Sequence, residues 1–545
     1  MRYDPESTRS SPSFARSDTV KGPPPQGSCV SRVPRLTRAE AAVFTAGAAS
    51  MGLELLAGRL VTPTFGGSIY VWGSVIGVFL TALSVGYAVG GRTARYASPA
   101  LLVSVLAASA AFAAAVVVGG EAVVELSATL PIPTRYAAVP SVVLLFGPLT
   151  FLVGLVSPYG AELSAAESRG AASGRVYALG TIGSIIGTFG TTFVLIPALD
   201  VTVIAALFGG LLLVAALLVA EPTPRAVGKL GVTALVLLSA TVVGVYGVNV
   251  GEDTLYQDQT AYSELRVGED DGVRTLFLDG VRHSAMYTDD RDGYVFEYSK
   301  YAHVPMLWQD DVDRVLFVGG GGFSGPKRFA KEYDVTVDVV EIDPGVVHAA
   351  REYFEVSEGP QFNIHVEDGR RFLEETNHTY DLVVLDAYQR DAVPFHLTTV
   401  EFMELAASKL DDDGALVANV ISARSGTGSA FFRAELKTIH RAFPHVYAFP
   451  TSDTRALQNI EIVATKGQPW SQAGLAALAE DRDVGVDLTG AVTQYTHPSE
   501  VETSDVPVLT DDHAPVDALL QGQTGKRYVV LQNNSTSTQA LRPVA

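Results

Sequence analysis

The chain has 545 residues, of which 48% are hydrophobic, and a formal net charge of −20 at pH 7. Residues 1–250 contain 11 acidic and 15 basic side chains, whereas residues 251–545 contain 48 acidic and 24 basic ones. Because an acidic surface repels phosphates, we expect no nucleic-acid partner. The single cysteine, Cys29, excludes a disulfide framework within the chain, and no convergent set of His, Asp and Glu predicts a metal site.

The first 38 residues are polar and rich in Pro, Ser and Arg. They contain no apolar stretch of the kind that a signal peptide requires. We therefore predict a disordered tail over residues 1–38.

A multi-span membrane domain is predicted over residues 39–250. Its apolar stretches approach the roughly 20 residues that a helix needs to cross a bilayer, and small residues are frequent in them, as in "GTIGSIIGTFG". The seven predicted spans, with 119–136 the least defined region, lie near residues 40–62, 68–90, 98–118, 137–157, 176–197, 200–220 and 228–248. The sequence thus predicts a multi-pass protein of the cell membrane.

Two charged residues, Glu54 and Arg59, fall within the first predicted span. A charge at membrane depth is costly, so such residues are normally paired or functional. We expect the two to form an intramembrane polar pair, with a role in substrate passage as the alternative.

The pattern changes after residue 250. The segment "SELRVGEDDGVRTLFLDGVRH" alternates around a tight turn, which predicts an antiparallel hairpin in a small β-rich subdomain over residues 251–310. From 311 to 545, apolar strands alternate with helical segments, beginning with "RVLFVGG" and "VTVDVVEID". This order predicts a doubly wound, Rossmann-like α/β domain.

The candidate binding residues follow the predicted parallel strands. Ligands bind at the carboxyl ends of such strands, where glycines allow close approach to the backbone and acids can accept hydroxyl or amine protons. The residues at the four strand ends are Gly319, Gly320, Gly321, Gly322, Glu341, Asp368, Gly369 and Asp386. The segment has no Walker lysine and lacks the spacing of a dinucleotide fingerprint, which favours an S-adenosyl ligand over NAD.

The segments "VLFVGGGG", "VVEIDPGVV", "VEDGRRFL" and "YDLVVLDAY" resemble the spermidine synthase (polyamine aminopropyltransferase) family. "DAYQRDAVPFHLTTVEF", "LTDDHAPVDALL" and the apolar N-terminal half are similar to its membrane-fused members. The resemblance implies transfer of an aminopropyl or related alkyl group from decarboxylated S-adenosylmethionine to a small-molecule amine. It assigns Glu341 to the ribose, Asp368 and Gly369 to the adenine, and Asp386 to deprotonation of the amine.

The chain departs from the family pattern at two positions. Gly322 stands where the family has an aspartate that grips the amino end of the donor, and Gln389 stands where it has a second amine-binding acid. A glycine at 322 is expected to leave room for ordinary S-adenosylmethionine, so a methyltransferase is one alternative function. A non-catalytic transporter or sensor that binds polyamine or nucleoside is another.

Further candidate substrate residues have weaker support. His283 follows the "LDG" turn, His396 lies just beyond Asp386, and Asp391 or Glu297 are candidates to replace the missing acid. Asp511 and Asp512, in "TDDHAP", are expected to belong to a turn.

The side of the membrane on which the C-terminal half lies is left open. Basic residues occupy alternate loops, and an odd number of spans then places this half outside the cell. Glycosylation sequons at Asn377, Asn533 and Asn534 agree, but a nucleoside donor is expected inside the cell. A homo-oligomer is left open as well.

Overall fold

The computed structural model describes residues 36–130, 132–165, 169–246, 253–289, 291–388, 393–523 and 528–532. Nearly all of the predicted disordered tail lies outside these ranges, as do Gln389, Asp391, Asn533 and Asn534.

Seven helices among the described residues are long and apolar enough to cross a membrane, as predicted. The third continues beyond 118 to Ala128, so most of the least defined region is helical. Its start is fixed by Pro99 and by the Ser98 hydroxyl, which accepts a hydrogen bond from the Leu101 amide. The helices are α1 (Arg38–Phe65), α2 (Ile69–Thr93), α3 (Pro99–Ala128), α4 (Ala138–Leu163), α5 (Arg169–Gly190), α6 (Val201–Val219) and α7 (Pro224–Tyr246).

Helix α1 packs very closely against α5 because glycines line their contact. A Cβ atom added to Gly183 would lie 2.1 Å from the Phe44 carbonyl oxygen, and one added to Gly187 would lie 2.2 Å from the Ala48 carbonyl oxygen. The backbones therefore touch where larger side chains would hold them apart. The frequent small residues of the predicted spans thus allow close helix packing, as expected.

The expected Glu54–Arg59 pair is not among the ion pairs of the described residues. Residues five apart lie on different faces of a helix, so the two side chains of α1 diverge. Arg59 Nη2 instead donates to the carbonyl oxygen of Thr260, 2.8 Å away in the C-terminal half. The helices and that half belong to one compact unit that begins at Arg38.

A four-stranded antiparallel sheet follows the helices, in the order β1-β2-β3-β4. The hairpin predicted at "EDDG" is present, since Asp270 pairs with Val273 across a turn in which Asp271 and Gly272 both have positive φ. The strands are β1 (Asp253–Gln259), β2 (Glu264–Asp270), β3 (Val273–Leu278) and β4 (Val281–Tyr287). The next segment, Glu297–Leu307, is a 3₁₀ helix that contains Pro305.

The seven-stranded sheet has the order β10-β11-β9-β8-β5-β6-β7. The five strands from β9 to β7 are parallel, whereas β10 and β11 are antiparallel additions at one edge. The order reverses between β5 and β8, and ligands bind at such a switch point. The strands are β5 (Arg314–Val318), β6 (Thr336–Glu341), β7 (Phe362–Val366), β8 (Tyr380–Leu385), β9 (Leu410–Ala423), β10 (His445–Pro450) and β11 (Leu457–Thr465).

Helices cover both faces of this sheet, and the central strands β5, β6 and β8 are largely buried, whereas the edge strand β7 is partly exposed. The predicted fold class, a helical membrane-type region followed by a Rossmann-like α/β domain, is confirmed. The helices of this half are α8 (Ser324–Glu332), α9 (Pro344–Tyr353), α10 (Gly369–Glu375), α11 (Val400–Ser408), α12 (Ala430–Ala442), α13 (Gln472–Asp481), α14 (Thr489–Val492) and α15 (Val516–Leu520).

The close contact of α1 with α5 generates a stability prediction. Gly183→Ala should destabilise the protein by about 1–3 kcal/mol, since the new methyl group must push two backbones apart. Thermal unfolding of the detergent-purified chain measures the change. Gly174→Ala, on the same helix with no atom within 4 Å of the added methyl, is the matched control and should leave the melting temperature unchanged or slightly raised. Equal melting temperatures for the two variants would contradict the close packing of α1 against α5 at Gly183.

Candidate active site

A cavity of about 500 Å³ lies at the carboxyl ends of the parallel strands. Its volume is in the range of small-molecule sites. The structure brings the predicted strand-end residues together here, and the cavity is lined by Gly319, Gly320, Gly321, Glu341, Asp368, Gly369, Asp386, His283 and His396.

The glycine turn after β5 is held by the Glu341 carboxylate. One oxygen, Oε2, accepts hydrogen bonds from the amides of Gly320 (2.9 Å) and Gly321 (3.4 Å), while Oε1 accepts from the Asp343 amide (3.0 Å). Burial raises the pKa of Glu341, and the three backbone donors act in the opposite direction. Glu341 is thus a fixed acceptor at the cavity wall, with lone pairs left for ligand hydroxyls.

The turn also contacts the end of β8. Gly319 has φ of +99°, and a Cβ atom there would lie 2.3 Å from the Asp386 carbonyl oxygen. Only glycine allows both the left-handed backbone and this approach. The turn and Asp386 are therefore adjacent in the cavity wall.

The structure corrects the expectation that Gly322 leaves room for a ligand. A Cβ atom at Gly322 would lie 2.7 Å from Ser284 Oγ and 3.2 Å from Phe354 Cδ1. Strand β4 thus fills the space beside this glycine. The Ser284 hydroxyl lies 3.1 Å from that of Ser324, and both residues line the cavity.

Asp368 has two partners in the structure. It caps α10 by accepting a hydrogen bond from the Arg371 amide (3.0 Å), and its Oδ2 lies 2.8 Å from His396 Nε2. Partial burial acts to raise its pKa, but these two partners hold the pKa of Asp368 below its ordinary value. His396 is therefore joined to the acid that was predicted to meet the adenine.

The predicted turn at residues 510–515 is present, with Thr510 bridged to His513. Asp511 receives two hydrogen bonds from the Arg370 guanidinium, at 2.7 and 2.6 Å, and one from the Thr399 hydroxyl. It ties the C-terminal segment to α10 and α11, which is a structural role.

His283 lies on β4, where burial lowers its pKa to about 4. Its imidazole is therefore neutral near pH 7 and presents no charge to a ligand.

Asp386 faces the cavity beside a chain of amide side chains. Its Oδ1 accepts from Asn419 Nδ2 (2.7 Å), Asn419 Oδ1 accepts from Asn459 Nδ2 (2.9 Å), and Asn459 Oδ1 accepts from the Tyr528 hydroxyl (2.8 Å). The surrounding protein desolvates the carboxylate and raises the pKa of Asp386, although the Asn419 hydrogen bond acts in the opposite direction.

Sequence reasoning missed several lining residues on β4, β9, β11 and the chain near 300 and 528. One signal was available in the sequence, because a glutamate interrupts the apolar stretch "IEIV". The structure shows why this matters, since all nine residues of β11 are buried. The missed residues are Ser284, Tyr298, Asn419, Asn459, Glu461 and Tyr528.

The doubly wound sheet, with its glycine turn and acids at the strand ends, places the C-terminal half in the class of Rossmann-like domains. Residues 295–463 match the family model described as spermine/spermidine synthase domain. This part of the chain is therefore similar to the spermine/spermidine synthase family, as the motifs predicted.

Two polyamine aminopropyltransferases and one solved structure are similar to about half of the chain. The chain is 28% identical over 284 residues to a polyamine aminopropyltransferase of Vibrio vulnificus, a match that spans 50% of this chain and 93% of the relative. It is 26% identical over 268 residues to that of Pectobacterium atrosepticum (44% and 88%). A solved structure of a probable spermidine synthase from Corynebacterium glutamicum is similar, with 24% identity and a TM-score of 0.41 over 47% of this chain and 95% of that one.

The contacts of Glu341 generate a binding prediction. Glu341→Gln removes the charge from the acceptor and turns an NH₂ group towards backbone donors, so methylthioadenosine should bind at least about 10-fold more weakly. Calorimetry on the detergent-purified chain measures this. Glu352→Gln, an exposed position on α9, should bind as the wild type does. Unchanged affinity of the Glu341 variant would contradict the assigned role.

Proposed function

We propose that this protein is a membrane-bound transferase that moves an aminopropyl group from decarboxylated S-adenosylmethionine to an amine. The observation that carries the proposal is the position of Asp386, which faces the same cavity as Glu341 and the glycine turn. The family match and the aminopropyltransferase relatives support the reaction class. The seven apolar helices support attachment to the bilayer.

In this mechanism, Glu341 and Asp368 hold the nucleoside of the donor, and Asp386 meets the acceptor. An aliphatic amine is mostly protonated near pH 7, with an ordinary pKa around 10. The Asp386 carboxylate first binds the ammonium ion and then accepts a proton, which frees the nitrogen lone pair. A raised pKa makes Asp386 a better proton acceptor than an aspartate of ordinary pKa.

The nitrogen then attacks the methylene carbon next to the sulfonium. The new C–N bond forms as the C–S bond breaks, and the bonding electron pair moves to sulfur, which becomes the neutral thioether of methylthioadenosine. Since the leaving group needs no proton, alignment of the two substrates in the cavity supplies much of the acceleration.

The missing acid at position 322 keeps a second candidate, transfer of a methyl group from ordinary S-adenosylmethionine, although Ser284 fills the space beside this glycine. Position 322 carries no acid to attract an amino group, and the Ser284 hydroxyl lies beside it, whereas the Ser324 hydroxyl donates to the Ala285 carbonyl oxygen. Hydroxyls can donate hydrogen bonds to a carboxylate. Calorimetry with both donors separates the candidates, because tighter binding of the decarboxylated form rejects the methyltransferase.

Asp386→Asn tests the proposed base. The substitution keeps the size of the side chain but removes its ability to accept the proton, so kcat should fall by about 10²–10⁴-fold with donor binding unchanged. Release of methylthioadenosine from decarboxylated S-adenosylmethionine and a diamine is the assay. Asp412→Asn, at an exposed position on β9, should retain full activity. Wild-type activity in the Asp386 variant would contradict its role as the base, whereas a folded wild type that releases no methylthioadenosine would favour a binding role, as in a transporter or sensor.

The pH profile provides a further prediction. The ionised form of Asp386 is the active one, and its pKa is raised, so activity should be lost as the pH falls through a value above the ordinary range of aspartate. The acid limb of kcat/KM for the donor, which reports groups of the free enzyme, measures this value. A limb at or below pH 4 would contradict the raised pKa.

A further inference from the structure

The turn between the first two membrane-type helices reaches the cavity of the α/β half. Gly67, which lies between the end of α1 and the start of α2, lines this cavity together with the strand-end residues. It lies far outside residues 295–463, which match the family model. The helical half of the chain therefore supplies part of the cavity wall.

Two hydrogen bonds attach this region to the α/β half. Arg59 Nη2, near the end of α1, donates to the Thr260 carbonyl oxygen at 2.8 Å, and the amide of Ile69, the first residue of α2, donates to Asp517 Oδ2 at 3.1 Å. Both contacts lie beside the cavity, because Asp517 lines it, as do the residues two and three positions after Thr260. We call residues 59–69 the α1–α2 corner.

The two contacts lie on opposite faces of the seven-stranded sheet. Alternate side chains of β5 point to opposite faces, so Phe317 packs in one hydrophobic core with α9, and Val318 packs in the other with α15. Thr260 is bonded to the residue that caps α9, whereas Asp517 belongs to α15. The α1–α2 corner thus passes from one face of the sheet to the other, over the carboxyl ends of the strands.

Charge supports the contact at the α1 end. Asp279, in the turn before β4, accepts a hydrogen bond from the Glu264 amide at 2.9 Å. Burial raises the pKa of Asp279, and the Arg59 guanidinium acts in the opposite direction, since a nearby cation favours the ionised carboxylate. Arg59 is not among the described residues that line the cavity, so any effect on a ligand must pass through the α1–α2 corner.

The backbone at position 67 does not require a glycine. A Cβ atom added to Gly67 would meet a single atom within 4 Å, Thr62 Cγ2 at 3.9 Å, and the positive φ of this turn belongs to Gly66. The missing side chain therefore relieves no clash within the protein. What it provides is free volume at the cavity wall.

We propose that the α1–α2 corner covers the ligand site, with Gly67 in contact with the bound ligand. Arg59 is a positioning residue that holds the corner over the cavity. Ligand binding then depends on both halves of the chain, and the membrane-type helices do more than attach the protein to a bilayer. The inference rests on the proposed function for the class of ligand, a sulfur-substituted adenine nucleoside, for which methylthioadenosine is the probe.

Thiol labelling of the detergent-purified full chain tests the contact. Cys29 is the single cysteine, so Cys29→Ser combined with Gly67→Cys leaves one thiol, on the cavity wall. Methylthioadenosine at about 100 times its Kd should slow the reaction of this thiol with a maleimide at least about 10-fold, because the occupied site blocks access. Gly359→Cys in the same background, at an exposed position outside the cavity, should react equally with and without the nucleoside.

Arg59→Met tests the positioning role. The substitution keeps an unbranched side chain but removes the hydrogen bond to Thr260, so methylthioadenosine should bind about 5-fold more weakly or less tightly still. The thiol of the Gly67→Cys variant should also react faster in the absence of nucleoside. Arg92→Met, at an exposed position in the last turn of α2, should change neither quantity, and melting temperatures report whether each variant is folded. A folded Arg59→Met protein with wild-type affinity would contradict the positioning role.

Equal labelling of the Gly67→Cys variant with and without bound nucleoside would overturn the proposal, as would a wild type that does not bind methylthioadenosine. Assay of methylthioadenosine release on the same preparations separates this inference from the proposed function. Protection of the thiol without any release would reject aminopropyl transfer but support the α1–α2 corner as part of the site. Release without protection would do the reverse.

Discussion

The hydrogen bonds between the Glu341 carboxylate and the glycine turn are the interaction on which the site depends. The turn leaves β5 with two glycines at positive φ, a conformation that exposes backbone amides at the edge of the sheet. These partly buried amides need acceptors, and Glu341, at the end of the neighbouring strand, provides one for Gly320 and Gly321. The same contact fixes the carboxylate in the cavity wall. The same hydrogen bonds therefore hold both the glycine turn and the Glu341 carboxylate in place.

This interaction is linked to the helical half of the chain. Glu341 accepts from the Asp343 amide, Asp343 accepts from the Thr260 hydroxyl at 2.6 Å, and the Thr260 carbonyl accepts from Arg59 of α1. Each of these contacts is a hydrogen bond between polar groups that are buried or partly buried. A charged residue in the first membrane-type helix thus serves the α/β half, which accounts for its presence in an apolar segment without a partner on its own helix.

The chain departs from the pattern of the family it resembles at Gly322 and Gln389, the two positions that were expected to contact amino groups. Ser284 fills the space next to Gly322, so an acid at this position would need β4 to move. Carboxylates of other strands line the cavity, with Asp386 after β8 and Glu461 on β11 on either side of Asn419 in the sheet. The carboxylates proposed to hold the nucleoside, Glu341 and Asp368, are anchored by backbone amides, whereas Asp386 is held by the side chain of Asn419.

Hydrophobic periodicity and glycine placement are local properties, so the seven apolar helices, the order of strands and helices, and the acids at the strand ends could be predicted from the residues alone. Other contacts arise only when the chain is folded. The contact of Arg59 with Thr260 and the closure of Gly322 by Ser284 join residues far apart in the chain. Glu461 becomes a site residue only because antiparallel β11 pairs with β9 and brings it level with Asp386, a register that no local pattern encodes.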